Sequence, residues 1–210
     1  MRLLAALADT AVPHARFIAG STDEEILGAV FYLMEPVDGF NAATHLPAAY
    51  AAAPAGRRVM GFALVDALAA LAAVDHTDVG LDDFGRPDGF LERQVPRWLG
   101  EFDRYADTPG YPGPEFGDVG KLASWLDDNR PGASRPGILH GDYHIANVMY
   151  AMERPEVAAI VDWEMATIGD PLLDVGMLSA IWPEYDGESD LYESALGATG
   201  DLPSRASMLE

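Results

Sequence analysis

His140, Asp142, Asn147 and Asp162 are the residues whose types and spacing could do chemistry. Short apolar runs surround them. Leu139, Val148 to Tyr150 and Val157 to Val161 read as strands, with a turn over Ala151 to Pro155. A fold-back near Arg154 and Pro155 pairs Val148 with Val161 and Met149 with Ile160. The same register sets Asn147 opposite Asp162 at the mouth of a hairpin, with Asp142 on the loop that enters it. Two acidic oxygens and one amide oxygen then converge on one point, a donor set suited to magnesium and phosphate.

The spacing His140-x-Asp142-x-x-x-x-Asn147 is that of a phosphoryl-transfer catalytic loop, with Gly141 where arginine is usual. In that reading Asp142 accepts the proton of an attacking hydroxyl or orients it. Asn147 offers Mg2+ a neutral oxygen, Asp162 an anionic one that bridges metal and phosphates, and His140 braces the loop backbone. A rival reading makes His140, Asp142 and His144 alternating ligands of a metallohydrolase. Gly141 between them weakens it, as does the scatter of His14, His45 and His76. Asp170 and Asp174 read as cap and first-turn carboxylates of a helix that starts at Pro171. Glu164 is either near the metal or solvated. Met34, Glu35 and Val37 flank a proline: the Glu35 carbonyl and Val37 N–H stay free to pair with an adenine edge, the alternative being a core residue and a turn.

Other elements must position these groups. Arg57 to Asp75 is apolar almost all round and predicts a helix buried on most sides. More polar helices are expected over Phe90 to Tyr105 and Glu115 to Asp128. Leu172 to Trp182, Ser189 to Leu196 and a start at Ser204 complete the helical set. Arg2 to Ala8 reads as the end of a helix, Arg16 to Ala19 and Ala29 to Met34 as strands, and Glu35 to Phe40 as a linker.

The chain has 210 residues, enough for one full domain, with no cysteine and a formal charge of −21. Disulfides, cysteine-ligated zinc and a thiol nucleophile are thereby excluded. So acidic a chain is a poor partner for nucleic acid or an anionic membrane, and would suit a cationic ligand. Nucleotide binding would need a divalent cation to offset repulsion. The apolar opening stops at Asp9 without a cleavage site, and the longest apolar run, Phe62 to Val74, is too short to span a bilayer. The expectation is a soluble, cytoplasmic protein.

These motifs together resemble the aminoglycoside phosphotransferase and choline kinase-like family, relatives of protein kinases. Phe31 to Gly39 matches its hinge, Leu139 to Asn147 its catalytic loop, Ile160 to Glu164 its metal-binding segment and Gly169 to Gly176 the helix start that follows. Asp83 to Pro87 with Gly89 to Val95 is similar to the branch associated with acyl-CoA dehydrogenases. The resemblance implies an α+β, protein-kinase-like two-lobed fold with a mainly helical C-lobe and a catalytic β-hairpin. Residues 1–34 would be a remnant of the N-lobe, 35–40 the hinge, and 41–210 a C-lobe cut off at its end. It further implies transfer of the ATP γ-phosphoryl group, with Mg2+, to a hydroxyl of a small molecule such as a hydroxyacyl-CoA or an aminoglycoside-like acceptor. Asp142 and His140 would be catalytic, Met34, Glu35 and Val37 would hold the nucleotide, and Asn147 and Asp162 the metal. The family's glycine-rich loop and strand lysine have no counterpart: Lys121 is the only lysine, and it lies elsewhere. The chain therefore reads as a fragment with a cropped N-lobe, and the alternative is a catalytically inactive, kinase-like binding module.

Overall fold

The computed structural model describes residues 1–113, 117–132, 135–182 and 194–210. Its frame is one long helix carrying small antiparallel sheets. Helix α1 spans Arg2–Ala6, and strands β1 (Phe17–Ser21) and β2 (Phe31–Met34) form a hairpin. Strand β3 (Gly39–Phe40) follows, then α2 (Ala48–Ala51) and α3 (Pro54–Ala73). Helices α4 (Gln94–Tyr105) and α5 (Val119–Asp128) precede β4 (Gly137–Leu139), β5 (Val148–Ala151) and β6 (Val157–Ile160). Strand β7 (Thr167–Gly169), α6 (Leu172–Ile181) and α7 (Arg205–Met208) close the order.

Helix α3 is the platform. Met60, Leu64, Leu68 and Leu71 are buried along it, together with Ile138, Val148, Ile160 and Ile168 of the strands. Two tyrosines fasten the catalytic segment to this helix. Tyr143 donates its hydroxyl to the Leu64 carbonyl (2.7 Å) and Tyr150 to the Met60 carbonyl (2.9 Å). A buried phenol without a partner would forfeit its hydration, so each ring is anchored in place by its own polar end. Burial pushes both phenols above their ordinary range. Arg57, also buried, caps the other end of the platform by donating to the carbonyls of Tyr50 and Ala51 and to Asp201 (2.6 Å).

The sheets then set the loop. Strands β3, β5 and β6 form one sheet in that order, and β4 pairs with β7, Ile138 facing Ile168. The chain from the expected hinge is stitched directly to the hairpin: Gly39 faces Ala151, Phe40 faces Tyr150, and the Asn41 amide donates to the Ala146 carbonyl (2.6 Å). A Cβ on Gly39 would come within 2.4 Å of the Tyr150 carbonyl oxygen, so the close approach needs glycine. Leu3 and Leu7 join the same core, and the Pro13 carbonyl accepts from the Ile160 N–H (2.8 Å). The β1–β2 hairpin is largely exposed, with Ile18 and Leu33 facing solvent.

Several expectations are corrected. Val148 faces Ile160 and Met149 faces Ala159, one residue from the expected register, with a bulge between Met149 and Tyr150. Asn147 therefore sits opposite Val161, whose N–H it receives (2.9 Å), and Asp162 lies one step beyond. Helix α3 starts at Pro54, using proline in its first turn, and Phe90 to Arg93 forms a turn of 3-10 helix before α4. Gly169, expected at the start of a helix, closes strand β7 (Thr167–Gly169), and the helix follows from Leu172. The start expected at Glu115 and most of the helix expected over Ser189 to Leu196 lie outside the described residues. No helix among the described residues is long and apolar enough to cross a membrane.

Candidate active site

The catalytic loop is held by a carboxylate that spacing alone assigns to another task. Asp174, on the first turn of α6, is 1% exposed. Its Oδ2 accepts the His140 N–H (2.7 Å) and its Oδ1 the Gly141 N–H (2.9 Å). Burial pushes this carboxyl above its ordinary value, against the pull of those two donors. Asp170 performs the capping role, its Oδ1 accepting the Leu172 N–H (3.0 Å). The clue to Asp174 was its position: it shares a helical face with buried Leu178, where a charge must find partners.

Gly141 follows from the same geometry. It has φ of +86°, and a Cβ there would stand 2.6 Å from the Met165 carbonyl oxygen. An arginine at that position would clash with the backbone of the Trp163–Met165 turn.

His140 is fully buried and both of its ring nitrogens face the backbone. Its Nε2 lies 2.9 Å from the Val161 carbonyl, and its Nδ1 accepts the Asp142 N–H (3.3 Å). That pattern requires a neutral ring with the proton on Nε2. The imidazole thus ties the loop to the end of β6, flanked by Trp163 at 4.9 Å between ring centres. Its place is that of a positioning residue. Burial pushes it below its ordinary value of 6.5. The unfolded chain takes up a proton on this residue before the folded chain does. Its stabilising contribution is therefore full above 6.5 and is lost as the pH falls through 6.5 toward the lower folded value. Asp174, raised from 3.8, acts with the opposite sign. Melting temperatures of the wild type are expected to drop between about pH 7.5 and about pH 5.5, and those of His140→Asn to start lower but drop less. Equal slopes would refute the assignment.

Asp142 is half-buried and is oriented from two sides. The Asn147 Nδ2 donates to its backbone carbonyl (2.8 Å) and to its Oδ2 (3.0 Å), and His144 Nε2 stands 3.3 Å from the same oxygen. His144 Nδ1 accepts the Ala146 N–H (3.2 Å), so the ring proton belongs on Nε2, facing Asp142. His144 is thus part of the loop's internal bracing. With its amide nitrogen committed, Asn147 has its Oδ1 available as a neutral donor.

Asp162 adopts φ 64° and ψ 58°, a left-handed conformation that aspartate tolerates better than most residues. The single left-handed step turns the chain from β6 into the Trp163–Met165 turn and leaves Asp162 exposed. Asn147 and Asp162 thus supply hard oxygen donors, the chemistry Mg2+ takes. Among the described residues, no group of three or more His, Cys, Asp or Glu side chains gathers as a metal site. His140, a ligand in the metallohydrolase reading, has both ring nitrogens turned to the backbone. Met34 is exposed and Val37 half-buried. Glu35 donates its N–H to the Arg16 carbonyl (2.9 Å) and pairs its carboxylate with Arg16, which pulls that carboxyl below its ordinary value.

The family model described as "Phosphotransferase enzyme family" matches residues 1–208. The chain belongs to that family. The chain is 33% identical over 174 residues to mouse (Mus musculus) acyl-CoA dehydrogenase family member 10, covering 83% of this chain and 16% of that protein. It is 31% identical over 172 residues to the Arabidopsis thaliana probable acyl-CoA dehydrogenase IBR3, covering 79% of this chain and 20% of that one. Among solved structures it resembles a Ralstonia eutropha protein assigned as an aminoglycoside phosphotransferase. That match has a TM-score of 0.75 and 32% identity, over 99% of this chain and 61% of the other. The Streptomyces rimosus aminoglycoside phosphotransferase APH(3'')-Id, solved with ADP and streptomycin, shares the fold at TM-score 0.52 and 18% identity, over 99% and 76% of the two chains. The fold is thus the α+β, protein-kinase-like one. The chain spans about a sixth to a fifth of the length of these two curated relatives.

Proposed function

We propose that this segment carries the catalytic hairpin of a kinase that moves the γ-phosphoryl group of ATP to a hydroxyl of a small molecule. Residues 35–40 act as hinge between an N-terminal lobe, represented by residues 1–34, and the helical lobe formed by 41–210. Asp142 faces the acceptor hydroxyl and takes or orients its proton, while Asn147 and Asp162 hold Mg2+. When bound, the cation would offset the charge on the phosphates. Met34, Glu35 and Val37 contact the base. The observation that carries this reading is the double grip of the Asn147 amide on Asp142: it couples the proposed base to a metal ligand and fixes both.

ADP in one structural relative supports the nucleotide, and the acyl-CoA dehydrogenase names of the curated relatives favour a hydroxyacyl-CoA over an antibiotic as acceptor. A cytoplasmic location would give such a kinase access to ATP. A second reading, binding without transfer, is favoured by one fact: the only lysine, Lys121, is exposed on α5 rather than on β1 or β2. Thermal shift with Mg·ATP combined with an ADP-release assay separates the two. Stabilisation with ADP release supports the kinase, and stabilisation alone supports the binding module. No stabilisation by Mg·ATP, with or without acceptor, would remove both.

A further inference from the structure

We propose that the acceptor carries an oxyanion, carboxylate or phosphate, and that Arg86 and Arg97 bind it in a cavity beside the catalytic loop. The proposal rests on the phosphotransfer reading for its role but on separate residues for its chemistry. The cavity holds about 440 Å³ and is lined by Arg86, Arg93, Gln94 and Arg97 on one side and by Glu164, Met165 and Thr167 on the other.

Charge is the first argument. The chain has 34 acidic residues against 13 lysines and arginines, so a random pocket wall should be acidic. This wall has three arginines and one carboxylate. Arg2, Arg16, Arg57 and Arg135 each reach an aspartate or glutamate. Among the described residues, no carboxylate stands within 4.0 Å of a guanidinium nitrogen of Arg86, Arg93 or Arg97. Clustering unpaired cations is unfavourable by itself, and an anion between them reverses the sign.

The second argument is construction. Arg93 donates to the backbone carbonyls of Arg86 and Asp88, so its fork is spent on folding the loop that presents Arg86. Gln94 is likewise engaged, donating to the Phe90 carbonyl (3.0 Å). Arg97 lies one helical turn beyond Arg93, its guanidinium 5.5 Å from the centre of the Trp98 ring. Both Arg86 and Arg97 are exposed, with forks free to meet an oxyanion in the bidentate geometry guanidinium favours. Arg93 is the scaffold, and Arg86 and Arg97 are the ligands.

The third argument is place. Thr167 pairs with Leu139 across β4 and β7, and the Met165 carbonyl abuts Gly141, the residue before Asp142. An anion on the arginines would therefore set a hydroxyl elsewhere on the same molecule toward the proposed base. The overall charge suggests a cationic ligand; this wall selects the opposite.

The test is calorimetric titration of the 210-residue chain, without Mg2+, using inorganic pyrophosphate in one arm and citrate in the other. Arg86→Ala or Arg97→Ala should weaken binding about tenfold each, the loss expected for one charge-assisted contact. Arg104→Ala, which breaks an exposed pair with Glu101 on the same helix, should leave it unchanged. Glu164→Gln should tighten it severalfold by removing the competing charge. The arm that binds more tightly identifies the oxyanion as phosphate or carboxylate. Failure of both probes to bind, or binding unaffected by the Arg86→Ala/Arg97→Ala double variant, overturns the proposal. Mg·ATP binding measured on the same variants keeps the two readings apart. Its loss in the wild type with arginine-dependent anion binding intact would refute the phosphotransfer reading and leave the anion site standing.

Discussion

Asp174→Ala is expected to destabilise the chain by about 3–5 kcal/mol, and Asp174→Asn to recover little of that loss. The carboxylate meets two backbone N–H groups, those of His140 and Gly141, one on each oxygen. Alanine leaves both donors buried and without an acceptor. Asparagine has one acceptor oxygen, so its amide nitrogen must point at the other N–H, donor against donor. A glutamate is too long for a site 1% exposed. The ionised carboxyl already bears a desolvation penalty, seen in its upward displacement, and for that reason the net loss falls short of two full charge-assisted bonds. From this group alone, stability rises as the pH falls through its folded value toward 3.8, where the folded chain holds the proton more firmly. Urea unfolding of wild type, Asp174→Ala and Asp174→Asn measures the loss. A change under about 1 kcal/mol in the alanine variant would show that the loop backbone finds other partners.

The loop's identity was legible because its residues are close in sequence. His140, Asp142 and Asn147 lie within one stretch, and their spacing needs no knowledge of the rest of the chain. The hairpin was legible too, since Val148 to Tyr150 and Val157 to Ile160 have strand composition and a turn between them. Its register was not. The bulge between Met149 and Tyr150 and the left-handed Asp162 are backbone events without a hydrophobic period, and a single inserted step moves every pairing by one. Asp174 does lie in the first turn of its helix, but its grip on the loop was not legible for a related reason. A carboxylate near a helix start satisfies the dipole rule whether it faces water or the core, and what decides is a loop 34 residues earlier that packs on it.

The β4–β7 pair was hidden by distance. Each strand has three residues, too few to show alternation, and Ile138 and Ile168 meet in the same core as α3. The same platform explains why Tyr143 and Tyr150 are tyrosines: each bonds a helix carbonyl that apolar side chains could not reach. Charge shows a further limit of composition. A total of −21 describes the far field that a ligand meets on approach, whereas Arg86 and Arg97 set the field inside one cavity. Summing over a chain erases that difference.

Asp142→Ala and Asp162→Asn are expected to lower phosphoryl transfer by about a thousandfold or more while failing in distinguishable ways. Asp142 is half-buried and Asp162 exposed, so neither substitution opens the core. Asparagine is the sound choice at 162, because it accepts the left-handed φ of 64° that alanine resists, and so removes the charge without adding strain. Loss of the Asp162 charge should abolish stabilisation by Mg·ATP, since two neutral amide oxygens, from Asn147 and the new asparagine, are all that remain for the cation. Loss of Asp142 should leave that stabilisation nearly intact and act on turnover, as removal of a group that meets the acceptor and not the nucleotide. The readouts are ADP release with saturating Mg·ATP and melting temperature with and without it. Turnover near the wild-type level in both variants would remove the hairpin from the chemistry. If Asp142→Ala instead abolished Mg·ATP stabilisation, its grip on Asn147 would be what holds the metal ligand in place, and the two roles assigned here would have to be merged into one.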